Sequence, residues 1–270
     1  MNGTPGGPRI TRLGLSPMKG TRHLSLERIV LDGSGPVGDR RYCLVDPKTL
    51  RVLRTVQHPT LLRITARETP EGLEVTTSQG ASSRISGDVP GRPLRVDYWG
   101  RAVEVETLPG AGSELFSRYL GREVLLARAP RGTVVYGEQL TLLHESSLAF
   151  LAERSGVEEE TLWHRFRPTA VIGPGPRAAP AFAEESWRGR EVRGGHSGEA
   201  GVGSCRLLLG GPVPRCAVID INPETGERDG DLLRTLAAHR PRNERGEPSF
   251  GIFATVLRGG SLSVADEFAF

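Results

Sequence analysis

Residues 93–99, PLRVDYW, and 101–107, RAVEVET, set apolar side chains at every second position: Leu94, Val96 and Tyr98 in the first run, Val103 and Val105 in the second. Successive side chains of an extended chain point to opposite faces, so a period of two predicts strands with one buried face. The same texture recurs through the first hundred residues, in RITRLGLS (9–16), LERIVLD (26–32), RYCLVD (41–46), LLRITARE (61–68) and GLEVTTS (72–78). Turn-forming stretches, DGSGPVGD (32–39) and SGDVPGRP (86–93) among them, separate the runs. The expectation is a mainly β protein with a few short helices, its first half a mostly antiparallel barrel or sandwich.

Helical periodicity is confined to GSELFSRYLG (112–121), ESSLAFLAERSG (145–156), where Gly156 reads as a C-cap, and DLLRTLAAHR (231–240). Strand-like runs resume at CRLLLGG (205–211), CAVIDIN (216–222), FGIFATVL (250–257) and SLSVADEFAF (261–270). The natural seam lies at 127–138, ARAPRGTVVYGE. It divides the chain into a lead-in over 1–8, a first β-barrel domain over 9–130, whose opening strand 9–16 is free to pair elsewhere, and a second over 131–270.

Lys and Arg number 35 against 32 Asp and Glu, a net charge of +3 over 270 residues, and the basic residues are dispersed. That argues against nucleic-acid or membrane-surface binding and leaves room for a local anion pocket. No run approaches the roughly 18 apolar residues of a membrane span, and MNGTPGGP at the start lacks the features of a secretory signal. Three widely spaced cysteines, Cys43, Cys205 and Cys216, fit a reducing compartment, so a cytoplasmic protein is expected. Zinc-type spacings are absent.

Chemistry concentrates in a few places. In PVPRCAVIDINPETGE (212–227), Arg215 directly precedes Cys216. A fixed cation beside a thiol favours the thiolate, the nucleophilic and metal-binding form. A core cysteine opening a strand, with Arg215 on the opposite face, is the alternative. In RFRPTAVI (165–172), proline after Arg167 holds it extended, suited to gripping phosphate or carboxylate. Solvated charge at a strand entrance is the plain alternative. Lys19 in LSPMKG and Arg40 in GDRRY sit in turns with free backbone N–H groups. Trp163, Trp187 and His144 read as core, Cys43 and Cys205 as packed thiols, and Asp220 and Glu224 as turn chemistry.

The order of these pieces, SPMKG, GPVGDRRYCLVD, HPTLLRI, LLHESSLAFL, FRPTAVI, PAFAEESWRG, PVPRCAVIDINPETGE, LLRTLAAHR, FGIFATV and GSLSVADEF, resembles the MOSC family, named for the C-terminal domain of molybdenum cofactor sulfurase, with its companion N-terminal β-barrel. Its architecture is similar to that of the branch containing the mitochondrial amidoxime-reducing components and their bacterial relatives. The resemblance implies a molybdenum–pterin cofactor with Cys216 as protein ligand to the metal, and Lys19, Arg40, Arg167, Thr169 and Arg215 holding the anionic pterin. It further implies reduction of N-hydroxylated small molecules, with electrons from a separate ferredoxin- or cytochrome-like protein, since no C-x4-C-x2-C run is present. Two alternatives stay open: a sulfur carrier using a Cys216 persulfide, and a MOSC-fold enzyme that has lost molybdenum and acts on a small anionic metabolite. Departures from the reductase pattern are Thr169 in place of asparagine, Pro214 in place of serine, and Gly137–Glu138 in place of small hydroxyl residues. The tract GGHSGEAGVGS (194–204) reads as an inserted surface loop, with His196 a general acid only if that loop covers the site.

Overall fold

The computed structural model describes residues 7–87, 90–175, 178–195 and 203–270. The two opening runs form the antiparallel strands Arg92–Tyr98 and Arg101–Leu108, with Val96 opposite Val103 and Leu94 opposite Val105. Val96, Tyr98, Val103 and Val105 are buried, whereas Arg95 and Glu104 are exposed, as the alternation requires. With Leu125–Arg128, Tyr42–Asp46 and Arg51–Val52 these strands close a five-stranded barrel, the ring completed by a parallel pairing of Asp97 with Arg51. Cys43, Val45 and Ala127 fill its interior with Val96 and Tyr98. The alternate residues Tyr42, Leu44 and Leu126 face a second core under the hairpin strands at 65–86 and helix α1 (Ala111–Leu120).

The second half is organised by an eight-stranded sheet. Its order is Phe268–Ala269, Glu191–Gly194, Cys205–Pro214, Ser249–Arg258, Leu140–His144, Ala170–Ile172, Ile10–Leu15 and Leu24–Leu26. The chain's opening strand therefore pairs with Ala170–Ile172, and Arg28–Asp32 pairs with Gly260–Ser263. Leu140–His144 and Ala170–Ile172 run parallel, which demands a crossover. Helices α2 (Glu145–Ser155) and α3 (Glu159–Phe166) supply it. Side-chain alternation sends Leu142, Ala170 and Ile172 into the core shared with Leu207, Leu209 and Ile252. Leu143 and Val171 go to the other face, beneath α2, α3 and α4 (Leu232–His239).

The three helices expected from periodicity are present as α1, α2 and α4, and Gly156 ends α2 in the left-handed conformation with its N–H on Ala152 O at 2.9 Å. Helix α3 went unread because it is eight residues long and its apolar residues, Leu162, Trp163 and Phe166, are too few to establish a period. The run CAVIDIN is not a strand. The strand is the preceding Cys205–Pro214, and Ala217–Asp220 is a 3₁₀ turn. Asp220 explains this: fully buried, its carboxylate accepts from Leu233 N (2.9 Å) at the start of α4 and from Arg228 (3.0 Å). Asp220 thus does more than shape a turn. Trp163 and Trp187 lie in the core, and His144 caps α2 by accepting from Ser146 N. Among the described residues no helix is long and apolar enough to cross a membrane.

Candidate functional site

Between the two halves lies a cavity of about 330 Å³, within the size range of small-molecule and cofactor sites. Lys19, Arg40, Arg167, Thr169, Arg215 and Cys216 all line it. They arrive from four separate segments, each fixed by its own local device.

Lys19 follows the strand Ile10–Leu15. Its N–H donates to Tyr42 O (2.8 Å) while Tyr42 N donates to Pro17 O (3.1 Å), which ties the turn to the barrel. Arg40 has φ 47°, and its N–H donates to Ser16 O at 2.8 Å. Its guanidinium pairs with Asp39, whose other oxygen accepts from Ser16 N at 2.9 Å. Arg167 is not extended, as the following proline suggested. It takes up φ 54°, ψ 48° as the C-cap of α3. Proline disfavours a right-handed helical conformation for the residue before it, and the left-handed conformation taken here ends the helix. The Arg167 side chain donates to Ser16 Oγ at 2.7 Å. Thr169 is pinned between strands, its N–H on Thr141 O (2.7 Å) and its hydroxyl accepting from Thr141 N (3.2 Å).

Arg215 and Cys216 lie just beyond the strand Cys205–Pro214. Arg215 is buried, not on a solvent face, donating to Phe250 O (2.9 Å) and Phe166 O (3.0 Å) with its guanidinium 5.1 Å from the Phe166 ring centre. Cys216 begins the 3₁₀ turn and is exposed, whereas Cys43 and Cys205 are buried. Burial pushes the Cys43 thiol up to about 12 and the Cys205 thiol up to about 11.

Three supporting residues were not singled out from sequence: Ser16, His23 and Asp39. His23 donates from Nε2 to Pro168 O (3.0 Å) and its Nδ1 faces Ser16 Oγ (3.4 Å). Ser16 thereby links His23 to Arg167. The signal was present, since Ser16 and Asp39 each lie within a few residues of the turn cations, but neither spacing nor composition marks a brace. Arg54, Trp99, Tyr136 and Arg245 also line the cavity, from loops with no recognisable motif, as does Arg165 from the last turn of α3. Arg165 is held by Asp229 (2.5 Å) and Ile219 O (3.2 Å).

Glu138 lies on the cavity wall but is exposed, within 3.5 Å of the Thr255 hydroxyl that donates to it. Gly137 before it has φ 76° and abuts Phe253, where an added Cβ would come within 2.4 Å of the ring, so this turn favours glycine. His196 lies outside the described residues. The described ends of its tract, Gly195 and Gly203, are at the end of the strand Cys205–Pro214 remote from Cys216.

A family model described as the MOSC N-terminal beta barrel domain matches residues 7–123, and one described as the MOSC domain matches residues 130–269. The chain belongs to the MOSC family. Among MOSC relatives, mitochondrial amidoxime reducing component 2 of Bos taurus is 30% identical over 132 residues, covering 46% of this chain and 34% of its own length. Molybdenum cofactor sulfurase of Bos taurus is 23% identical over 280 residues, 90% of this chain and 30% of its own length. The chain thus spans only part of these curated relatives. The crystal structure of the YUAD protein from Bacillus subtilis aligns over 97% of this chain and 96% of its own, with TM-score 0.44 and 12% identity.

The charge of this MOSC cavity is unbalanced. Arg167 Nε and one terminal nitrogen of Arg215 are buried without a partner, and no hydrogen bond or ion pair among the described residues holds the Lys19 ammonium, which lies 5.8 Å from the Tyr98 ring centre. Burial, then Arg40 and Arg167, bring Lys19 down to about 7, with Cys216 and Asp39 pulling the other way. Burial likewise lowers Arg167 to about 9, with Arg40 adding to the effect, and Arg215 to about 10. Both guanidiniums still carry their charge at neutral pH. Buried polar groups are ordinarily paired; Arg167 and Arg215 each keep one that is not, and with Lys19 they line a cavity beside an exposed soft sulfur, a setting that suits an anionic guest. No group of three or more His, Cys, Asp or Glu among the described residues could hold a metal unaided. A metal arriving with its own organic ligand and needing one protein sulfur fits this donor set.

Proposed function

We propose that the chain binds a molybdenum–pterin cofactor, with Cys216 as thiolate ligand to the metal, and reduces an N–O bond of N-hydroxylated small molecules. When bound, the group supplies a centre that accepts an oxygen atom and two electrons' worth of oxidation. Arg40 and Arg167 offer guanidinium donors to its phosphate, and their geometry is set by Asp39 and Ser16 rather than by solvent. Arg215, with two N–H groups spent on backbone carbonyls, keeps one terminal nitrogen without a partner and sets a permanent positive charge beside Cys216. Lys19 contributes a compact positive charge that an anion would restore to full protonation. Thr169, occupied by the backbone of Thr141, shapes the wall. A separate electron-transfer protein of ferredoxin or cytochrome type resupplies electrons, and the compartment is proposed to be the cytoplasm.

One observation carries this reading: cations from four distant segments, Lys19, Arg40, Arg167 and Arg215, line a cavity that also exposes Cys216. Exposure of that sulfur favours a second reading, a sulfur carrier with a Cys216 persulfide. Protein from a host that makes the cofactor separates the two. Stoichiometric molybdenum and pterin fluorescence after oxidative release support the first. Metal-free protein with cyanide-labile sulfur supports the second, and absence of all three signals leaves a cavity adapted to another small anion.

A further inference from the structure

The cavity floor is cationic and buried, but its lip has a different chemistry. Trp99 and Tyr136 line it while remaining 46% and 41% exposed. Large aromatics so exposed, and adjacent, mark a binding surface more often than a packing remnant. Their ring centres are 6.0 Å apart at 60°. Trp99 stands at the tip of the barrel hairpin with φ 56°, a conformation costly for a bulky residue, and Asp97 accepts from Gly100 N (2.7 Å) to hold that turn. The third member is Arg54, whose guanidinium lies 3.9 Å from the Trp99 ring centre. No hydrogen bond or ion pair among the described residues engages that guanidinium. A stacked arginine is orientationally fixed while its in-plane N–H groups remain available. Tyr136 lines the same cavity as Cys216.

We propose that Arg54, Trp99 and Tyr136 form a substrate-selecting lip for a flat aromatic or heteroaromatic molecule bearing a carboxylate, the ring lying on the Trp99–Tyr136 wall and the carboxylate on Arg54. This rests on the reductive reading of the site given above. The N-hydroxylated group is directed inward toward Cys216 and the acid outward, away from the buried cations. Glu138 and Glu247, also on the wall, disfavour an acid placed beside them.

The test uses cofactor-loaded protein and three probes: 4-carboxybenzamidoxime, benzamidoxime and acetamidoxime. Reduced methyl viologen supplies two electrons per turnover and solvent two protons. The N–O bond breaks, oxygen leaves as water and the amidine is released. Wild-type protein is expected to show the lowest KM for the carboxylated probe. Arg54→Ala should cut the kcat/KM preference for carboxylated over plain benzamidoxime about tenfold, the scale of one charged hydrogen bond. Trp99→Ala should reduce the preference for both aromatic probes over acetamidoxime about five- to tenfold, with Trp99→Phe restoring most of it. Equal preferences in wild type and variants overturn the proposal. Loss of molybdenum and pterin from Trp99→Ala also overturns it, because the lip would then be holding the cofactor. If no probe turns over, tryptophan fluorescence without reductant separates the two ideas. Quenching by 4-carboxybenzamidoxime that Arg54→Ala weakens keeps the lip and discards the reductase, and no quenching discards the lip.

Discussion

The two ends of the strand Cys205–Pro214 present the same element in opposite settings. At its start, Cys205 is fully buried among Leu207, Leu262 and Phe268, and burial pushes its thiol up to about 11. Just past its far end, Cys216 is exposed to a cavity lined by Lys19, Arg167 and Arg215. Sulfur chemistry follows surroundings. An apolar shell disfavours the thiolate of Cys205, whereas Cys216 lies where cations and open cavity meet.

The sharpest way to break this contrast is to exchange the sulfurs. Cys216→Ser is expected to abolish molybdenum retention and leave the thermal unfolding transition within a degree or two of wild type, because the side chain is exposed. Cys205→Ala should keep full metal. Metal analysis alongside circular dichroism reads both, and retained molybdenum in Cys216→Ser would end the ligand assignment. Next in size is stability. Cys205→Ser puts a hydroxyl into an apolar site and should cost about 1–3 kcal/mol in urea unfolding, while Cys216→Ser should cost less than about 0.5 kcal/mol.

The cationic end carries its own penalty when empty. Lys19→Met should raise the stability of cofactor-free protein by roughly 1 kcal/mol, since it removes a charge that burial first, and then Arg40 and Arg167, disfavour. The same change should weaken cofactor retention. A Lys19→Met variant no more stable than wild type would mean that this charge is already compensated. The smallest effect concerns His23, which burial first, then Arg167, Arg40 and His164, hold well below the ordinary 6.5, against the pull of its hydrogen bond to Pro168. On acidification the unfolded chain takes up this proton before the folded one does. Its contribution is therefore complete above pH 6.5 and is lost as pH falls below that value. His23→Gln should shrink the difference in unfolding free energy between pH 7.5 and 5.5 by a few tenths to about 1 kcal/mol.

What the sequence disclosed tracks the range of each physical signal. Alternation in 93–107 is local and sufficient, because Val96 and Val103 need only a two-residue turn to meet. Residues that share the cavity were legible where family order named them, and Arg54, Trp99 and Tyr136 were not, since three unrelated turns carry no common period. Arg167 illustrates an intermediate case. The proline after it does restrict its backbone, as expected, but two allowed regions remain, and only the helix ahead selects the left-handed one. Cys216 is similar: the apolar run after it looks extended until buried Asp220, bonded to the start of α4, bends it into a turn. The strand Ile10–Leu15 was legible as a strand, but alternation says nothing about which neighbour it takes.

That neighbour has a consequence for how the protein is made. Thr11 donates its hydroxyl to Val171 O, 160 residues away, so at ribosomal rates the opening strand must wait roughly 8–30 s for its partner to be synthesised. Meanwhile the intervening barrel, its strands complete by residue 128 and its core by Val134, can form. Folding is thus nested, an inner unit maturing while an outer one is held open. A fragment begun at residue 130 would lack both the strand that covers Ala170–Ile172 and the one that covers Gly260–Ser263, and its bare edges would invite aggregation.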